Sequence, residues 1–379
     1  MQEGDFVRRI QSLGESSDTR KILALDYGLI AILISLCSVG VLIVFSATGQ
    51  DSFFVKRQAS FMVIGFCLMC AMAQVPPRVW ERWAPVLYAI GILLLGLVLS
   101  VGVEANGAKR WLDLGFIRLQ PSELMKVILP LMISSYISRS AIPPNFKTIF
   151  VSLTLILLPV FLVINQPDLG TALLISVSGL IVLFLSGIGR SYIISGLILA
   201  VAAIPSFWLF VMRDYQKQRV LTMFNPEADK LGSGWNIIQS TTAIGSGGWH
   251  GKGWTHGTQS QLNFLPESHT DFIIAVLAEE FGLVGVITLL CLFLILVGRC
   301  ISISMNSESM FGRLLAGSIG FTVFVFVLVN LAMVSGVLPV VGAPLPFVSY
   351  GGTAIVTLFA GFGILMSISK DSEITRRKN

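Results

Sequence analysis

The chain is 379 residues long, 54% hydrophobic and only 12% charged, with a net charge of +5. Soluble domains carry roughly 25% charged residues, so a deficit this large excludes a surface that mainly faces water and identifies lipid as the solvent. The small basic excess matches the placement of Lys and Arg in membrane loops, and with no basic, aromatic-rich segment, nucleic acid is not an expected partner.

Residues 1–23 read as a mostly polar N-terminal leader without the features of a cleavable signal. Within it Phe6, Val7, Ile10 and Leu13 recur at helical spacing beside Arg8 and Arg9, which predicts a short interfacial helix. A polytopic membrane domain follows over 24–369, and 370–379 form a polar tail. A span needs about 17–25 apolar residues. Such runs lie near 24–46, 58–75, 84–103, 121–138, 147–164, 169–188, 191–212, 273–298, 314–338 and 350–369. An even number of spans puts both termini on one side. If that side is cytoplasmic, the inner connections collect most of the Lys and Arg, whereas the short outer loops hold only Lys56 and Arg57. The expected fold is therefore an all-α integral membrane bundle of about ten transmembrane helices, with both termini cytoplasmic. Its two long outer segments are 104–120 and, between the seventh and eighth helices, 213–270. Cys67 and Cys70 form a CxxC inside an apolar run, where packing is the expected role.

The outer segment 213–270 holds all three histidines, His250, His256 and His269, together with Trp235, Trp249, Trp254 and a glycine-rich passage over 245–254. Long loops of this kind often carry function; the alternative is an interfacial loop anchored by Trp. The histidine spacings of six and thirteen residues match no usual zinc pattern.

Ionisable groups at membrane depth are costly, which singles out three places. In Gln120-Pro-Ser-Glu-Leu-Met-Lys126, Pro121 suits the first turn of a helix, and Glu123 and Lys126 then share a face. They form either a structural ion pair or a pair in which Lys126 meets a phosphate. Asp271 follows His269 and Thr270 where the long outer segment re-enters the membrane. It reads as a helix cap or as a partly desolvated carboxylate whose raised pKa suits a general base. Glu279 and Glu280 lie deeper in the same run, where pairing with a cation or backbone group is expected. A fourth feature is the tight turn Asn165-Gln-Pro-Asp168, where Asp168 can cap the next helix and face the same outer cavity.

These stretches resemble the SEDS family of shape, elongation, division and sporulation proteins. The resemblance is carried by 251–280 (Gly251-Lys-Gly-Trp-Thr-His-Gly-Thr-Gln-Ser-Gln-Leu through His269-Thr-Asp271 to Glu280), by 106–115, by 120–126 and by Pro344-Leu-Pro-Phe-Val-Ser-Tyr-Gly-Gly352. The passage 251–262 resembles the elongation-type branch, RodA, more than the division type.

The resemblance implies a peptidoglycan glycosyltransferase in the bacterial cytoplasmic (inner) membrane, polymerising lipid II at the outer face during elongation. Its implied partners are a class B penicillin-binding protein and other elongation proteins. It implies that Asp271 is the essential aspartate and that Trp111, Glu123 and Lys126 serve activity. The expected chemistry is a single inverting displacement: Asp271 takes the proton of the acceptor's 4-hydroxyl while undecaprenyl pyrophosphate leaves. Lys109, Arg110 and Arg219 are expected among the cations facing the pyrophosphate. His269, Glu267 and Asp168 complete the expected substrate-binding set. A divalent cation such as Mg or Mn on the pyrophosphate is an expected addition without assigned ligands. The competing readings are a lipid-precursor flippase or transporter and a non-catalytic cell-wall scaffold.

Overall fold

The computed structural model describes residues 25–378 except 106, 107, 114, 116, 117, 230, 231, 263 and 266. The interfacial helix expected in the leader lies outside the described residues. Helices α1 (Tyr27–Ala47), α2 (Ser52–Ala73) and α3 (Pro77–Val101) lead into three short strands, β1 (Val103–Ala105), β2 (Ala108–Asp113) and β3 (Arg118–Leu119). Then come α4 (Pro121–Ser138), α5 (Phe146–Asn165), α6 (Leu169–Leu185) and α7 (Arg190–Ser206), which runs on as a π-turn over Phe207–Val211. Four shorter helical elements follow: α8 (Asp214–Phe224), a 3-10 turn (Pro226–Asp229), α9 (Ser233–Gly247) and α10 (Thr258–Gln261). The chain closes with α11 (Ile273–Asn306), α12 (Met310–Val334) and α13 (Gly352–Lys378).

Local chemistry sets the helix starts. Asp26, Asp51, Asn145, Asp168 and Ser309 each accept a backbone N–H of the first turn, and Pro121 occupies the first turn of α4. Among the described residues, eight helices are long and apolar enough to cross a membrane, and Leu169–Leu185 is a shorter apolar helix. The chain is thus a multi-pass membrane protein. α4 buries residues around its whole circumference, Glu123 and Lys126 included, as a central helix must. It packs against α3, α6, α12 and α13, while α11 packs on α1 and α12, and α2 on α13. By contrast α7 buries none of its residues.

Two findings depart from the expected fold. The outer segment 104–120 contains an antiparallel sheet in the order β1-β2-β3, with Val103 opposite Trp111 and Leu112 opposite Leu119. Strands of two to six residues are too short to imprint a period on the sequence. The outer segment 213–270 is largely helical rather than an extended connector. Along α9, Gly234, Ile237, Ser240, Ala243 and Gly247 are buried at helical spacing, and this stripe packs on α11.

Candidate active site

Helix α11 has 34 residues, a length of roughly 51 Å at 1.5 Å per residue. It is interrupted at Gly282, whose φ of 64° and ψ of −161° are open to glycine and strained for other residues. An ideal Cβ there would lie 2.4 Å from the Gly251 nitrogen, so the glycine-rich passage seats directly against the break. Lys252 and Gly253 donate to the carbonyls of Glu279 and Glu280, and Leu283 and Val284 donate to those of Gly248 and Trp249. Glu279 Oε1 then accepts from Lys252 Nζ at 2.7 Å, Thr258 N at 2.8 Å and Thr258 Oγ1 at 2.9 Å. Glu280 accepts from Ser46 of α1. The two glutamates thus clasp the outer loop onto the bundle. Trp254 belongs to the same clasp, donating to Leu42 O at 3.2 Å and packing on Phe45. His250 and His256 are exposed.

Beyond this clasp, a cavity of about 1340 Å³ opens between the sheet, α8 and the loop 339–354. Asp271, Glu123, Trp111, Arg110, Arg219, Glu267 and Asp168 all line it, together with Arg57, Arg118, Arg213, Tyr215 and Tyr350. Sequence separations of more than 200 residues are bridged here. Lys126, Lys109 and His269 do not line it. Lys126 is buried, its Nζ 2.7 Å from Glu123 Oε1 and 5.2 Å from the Phe326 ring centroid. Lys109 is exposed on β2 opposite Glu104. His269 packs its ring between Phe54 and Tyr350, where burial lowers the imidazole pKa against the opposing pull of Glu267.

Asp271 precedes α11 and does not cap it: the N-cap is Phe272, with no side-chain hydrogen bond. The capping reading is therefore set aside, and the carboxylate is left for the cavity. Burial pushes its pKa up from the ordinary aspartate range to about 6. Glu267 and Asp168 add to the rise, while Arg219 and Lys126 oppose it. The backbone around it is gripped at three successive carbonyls. Tyr350 N donates to His269 O at 2.8 Å, Ser349 Oγ to Thr270 O at 2.5 Å and Asn330 Nδ2 to Asp271 O at 2.9 Å. Gln58, buried on α2, anchors the same loop through Ser349 O at 3.1 Å.

The opposite wall is held by Asp168, which caps α6 and faces the cavity, as both readings of the turn allowed. Its carboxylate lies 3.6 Å from Arg110 Nε. Arg110 Nη2 and Tyr215 OH both donate to Pro167 O, at 2.7 and 2.8 Å, tying the sheet to α8. Arg219, one turn further along α8, donates to Val340 O at 2.9 Å and lies over the Tyr215 ring. Of the cavity carboxylates, Asp113, Glu123 and Asp168 have cationic partners; Asp271 and Glu267 have none among the described residues. No three His, Cys, Asp or Glu side chains converge as metal ligands among those residues.

Comparison with known proteins follows the same lines. The chain is 52% identical over 344 residues to the peptidoglycan glycosyltransferase MrdB of Escherichia coli strain K12, covering 91% of this chain and 93% of that one. Its fold matches the Thermus thermophilus rod shape determining protein RodA with a TM-score of 0.71 at 28% identity, over 93% of this chain and 99% of that one. It also matches a chain of a peptidoglycan synthase complex, studied for its structural coordination of polymerization and crosslinking, with a TM-score of 0.82 at 30% identity, over 92% and 99% of the two chains. The family model for the cell cycle proteins FtsW, RodA and SpoVE matches residues 20–374. The chain therefore belongs to this FtsW/RodA/SpoVE family, the SEDS proteins that its motifs resemble.

Proposed function

We infer that this chain is an elongation-type peptidoglycan glycosyltransferase that polymerises lipid II, with Asp271 as its general base. The observation that carries the reading is the Asp271 carboxylate, buried and without a cationic partner among the described residues, in a large cavity lined by arginines; burial pushes its pKa up to about 6. A base of that pKa is deprotonated at neutral pH and still basic enough to accept a proton as a C–O bond forms. In the proposed step it takes the proton from the 4-hydroxyl of the acceptor's GlcNAc while that oxygen attacks the donor's anomeric carbon. The undecaprenyl pyrophosphate departs from the opposite face, so one displacement converts an α-linked donor into a β-linked product.

Arg57, Arg213 and Arg219 line the cavity without a carboxylate partner among the described residues. They are the groups proposed to meet the departing pyrophosphate. Trp111 is proposed as a sugar-stacking wall. Glu123 shapes the cavity floor, with Lys126 as its buried counterion, and Arg110 and Asp168 hold the wall that carries Trp111. The donor set does not fit a resident metal. It would fit a cation that arrives with the pyrophosphate, for which Glu267, without a cationic partner among the described residues, is the cavity carboxylate left over once Asp271 serves as the base. Such a cation supplies charge neutralisation on the leaving group.

The finer topology belongs to the same reading. Ten spans, both termini in the cytoplasm and the 213–270 segment outside the bacterial inner membrane place the cavity where lipid-linked sugars are presented. The Lys and Arg distribution supports this orientation. The peptidoglycan synthase complex among the structural relatives supports a class B penicillin-binding protein as partner.

The test is incubation of the purified full-length chain, with and without the transpeptidase, in lipid II and no other glycosyltransferase. Glycan strands that lysozyme cleaves are expected. Transbilayer movement of labelled lipid II without polymer would instead establish a flippase, and neither outcome would establish a scaffold.

A further inference from the structure

Asn330 lies near the end of α12, inside an apolar run, and is fully buried. A buried amide in such a run is costly unless its donors and acceptor are used. Its Nδ2 carries two protons and faces two carbonyls, Asp271 O at 2.9 Å and Ala343 O at 2.6 Å. Its own oxygen has no hydrogen-bond partner among the described residues. The side chain is therefore used through its nitrogen, and the two carbonyls fix the orientation of the amide: turned over, it would set oxygen against oxygen.

The two carbonyls belong to the two backbone segments that flank the Asp271 carboxylate. Gly342, next to Ala343, has a φ of 72°, and an ideal Cβ on it would sit 3.6 Å from Asp271 Oδ2. The carboxylate thus lies against the bare backbone of the 342–343 segment. We propose that Asn330 is a positioning residue for Asp271: it stitches the Asp271 peptide to the Ala343 peptide and so sets where the carboxylate points in the cavity. Ser349 Oγ makes a parallel link from Thr270 O to Leu345 N, and Tyr350 grips His269 O; among the described residues Asn330 is the side chain that bonds both the Asp271 carbonyl and the 342–343 segment lying against the carboxylate. The proposal rests on Asp271 being the base. Displacing a reacting group by about 1 Å costs on the order of 100-fold in rate.

The experiment compares full-length wild type, Asn330→Leu, Asn330→Ser and Asp271→Asn in lipid II polymerisation, with each rate normalised to protein that elutes as a folded species. Leu keeps the volume and removes both donors; Ser keeps one donor. The expected result for Asn330→Leu is a fall in kcat of about 30- to 100-fold with KM changed less than threefold, Asn330→Ser falling between it and wild type. A kcat within threefold of wild type for folded Asn330→Leu, or a loss confined to KM, overturns the proposal. So does failure of both Asn330 variants to fold, because the contact would then hold the bundle rather than the carboxylate. Activity in Asp271→Asn would strike the underlying reading instead, whereas an inactive Asp271→Asn beside a fully active Asn330→Leu would strike this proposal alone.

Discussion

Lys252 Nζ lies 2.7 Å from Glu279 Oε1, joining the outer loop to the fully buried face of α11 across 27 residues of sequence. The lysine is partly exposed and the glutamate is not, so the two ends of the pair are not equivalent. Removing Glu279 takes away the acceptor shared by Lys252, Thr258 and Gln259, leaving Lys252 Nζ only its bond to Thr258 Oγ1, whereas removing Lys252 leaves the carboxylate with its Thr258 and Gln259 donors. Glu279→Ala is expected to cost about 3–5 kcal/mol, in the range of broken buried pairs, and Lys252→Ala about 1–3 kcal/mol. Thermal unfolding of the purified variants in detergent, with proteolytic cleavage within 247–259 as a local probe, checks the order.

Arg219 opposes the upward shift of the Asp271 pKa, which burial, Glu267 and Asp168 drive. Arg219→Gln removes that opposition, so the carboxylate protonates at higher pH. The acidic limb of the rate profile is expected near pH 6 in wild type and at higher pH in the variant. The ratio of activity at pH 6.5 to that at pH 8 should therefore fall. An unchanged ratio would remove Arg219 from the surroundings of the base.

A carboxylate whose folded pKa is raised favours the protonated folded state at low pH and destabilises the fold once it ionises. The stabilising difference is present below the ordinary aspartate pKa and is lost as pH rises through about 6. Asp271→Asn removes the ionised group. It is expected to stabilise the folded protein at pH 7.5 by about 3 kcal/mol, seen as a higher melting midpoint, with the gain largely gone near pH 4. Melting curves at the two pH values decide it; a lower midpoint at pH 7.5 would contradict the burial argument.

The membrane helices are legible because an apolar run of spanning length has few other uses; each expected run overlaps a helix, although α2 and α3 begin six and seven residues earlier and α11 runs eight residues further than the apolar pattern. Asp271, Glu123, Trp111 and Asp168 were legible because charged or aromatic groups beside apolar runs stand out. What the sequence hid was long-range. Arg57 figured only in the charge count of a short loop, yet it lines the cavity from α2. Asn330 stands inside an apolar run, itself a signal, and Ser349 lies in the 344–352 passage, but neither position in the sequence shows which distant carbonyl it grips. The sequence leaves Asp271 open between a helix cap and a free carboxylate; α11 begins at Ile273 with Phe272 as its N-cap, so the carboxylate escapes the capping role. The break at Gly282 was invisible because its partner, Gly251, lies 31 residues earlier in the chain.

Proton removal by one carboxylate stands or falls with the rate of lipid II polymerisation by the purified Asp271→Asn protein at pH 7.5. The amide keeps the shape of the side chain and cannot accept the proton, so a loss of about 100- to 10,000-fold is expected with the protein still folded. A folded Asp271→Asn protein that polymerises within tenfold of wild type would contradict the account.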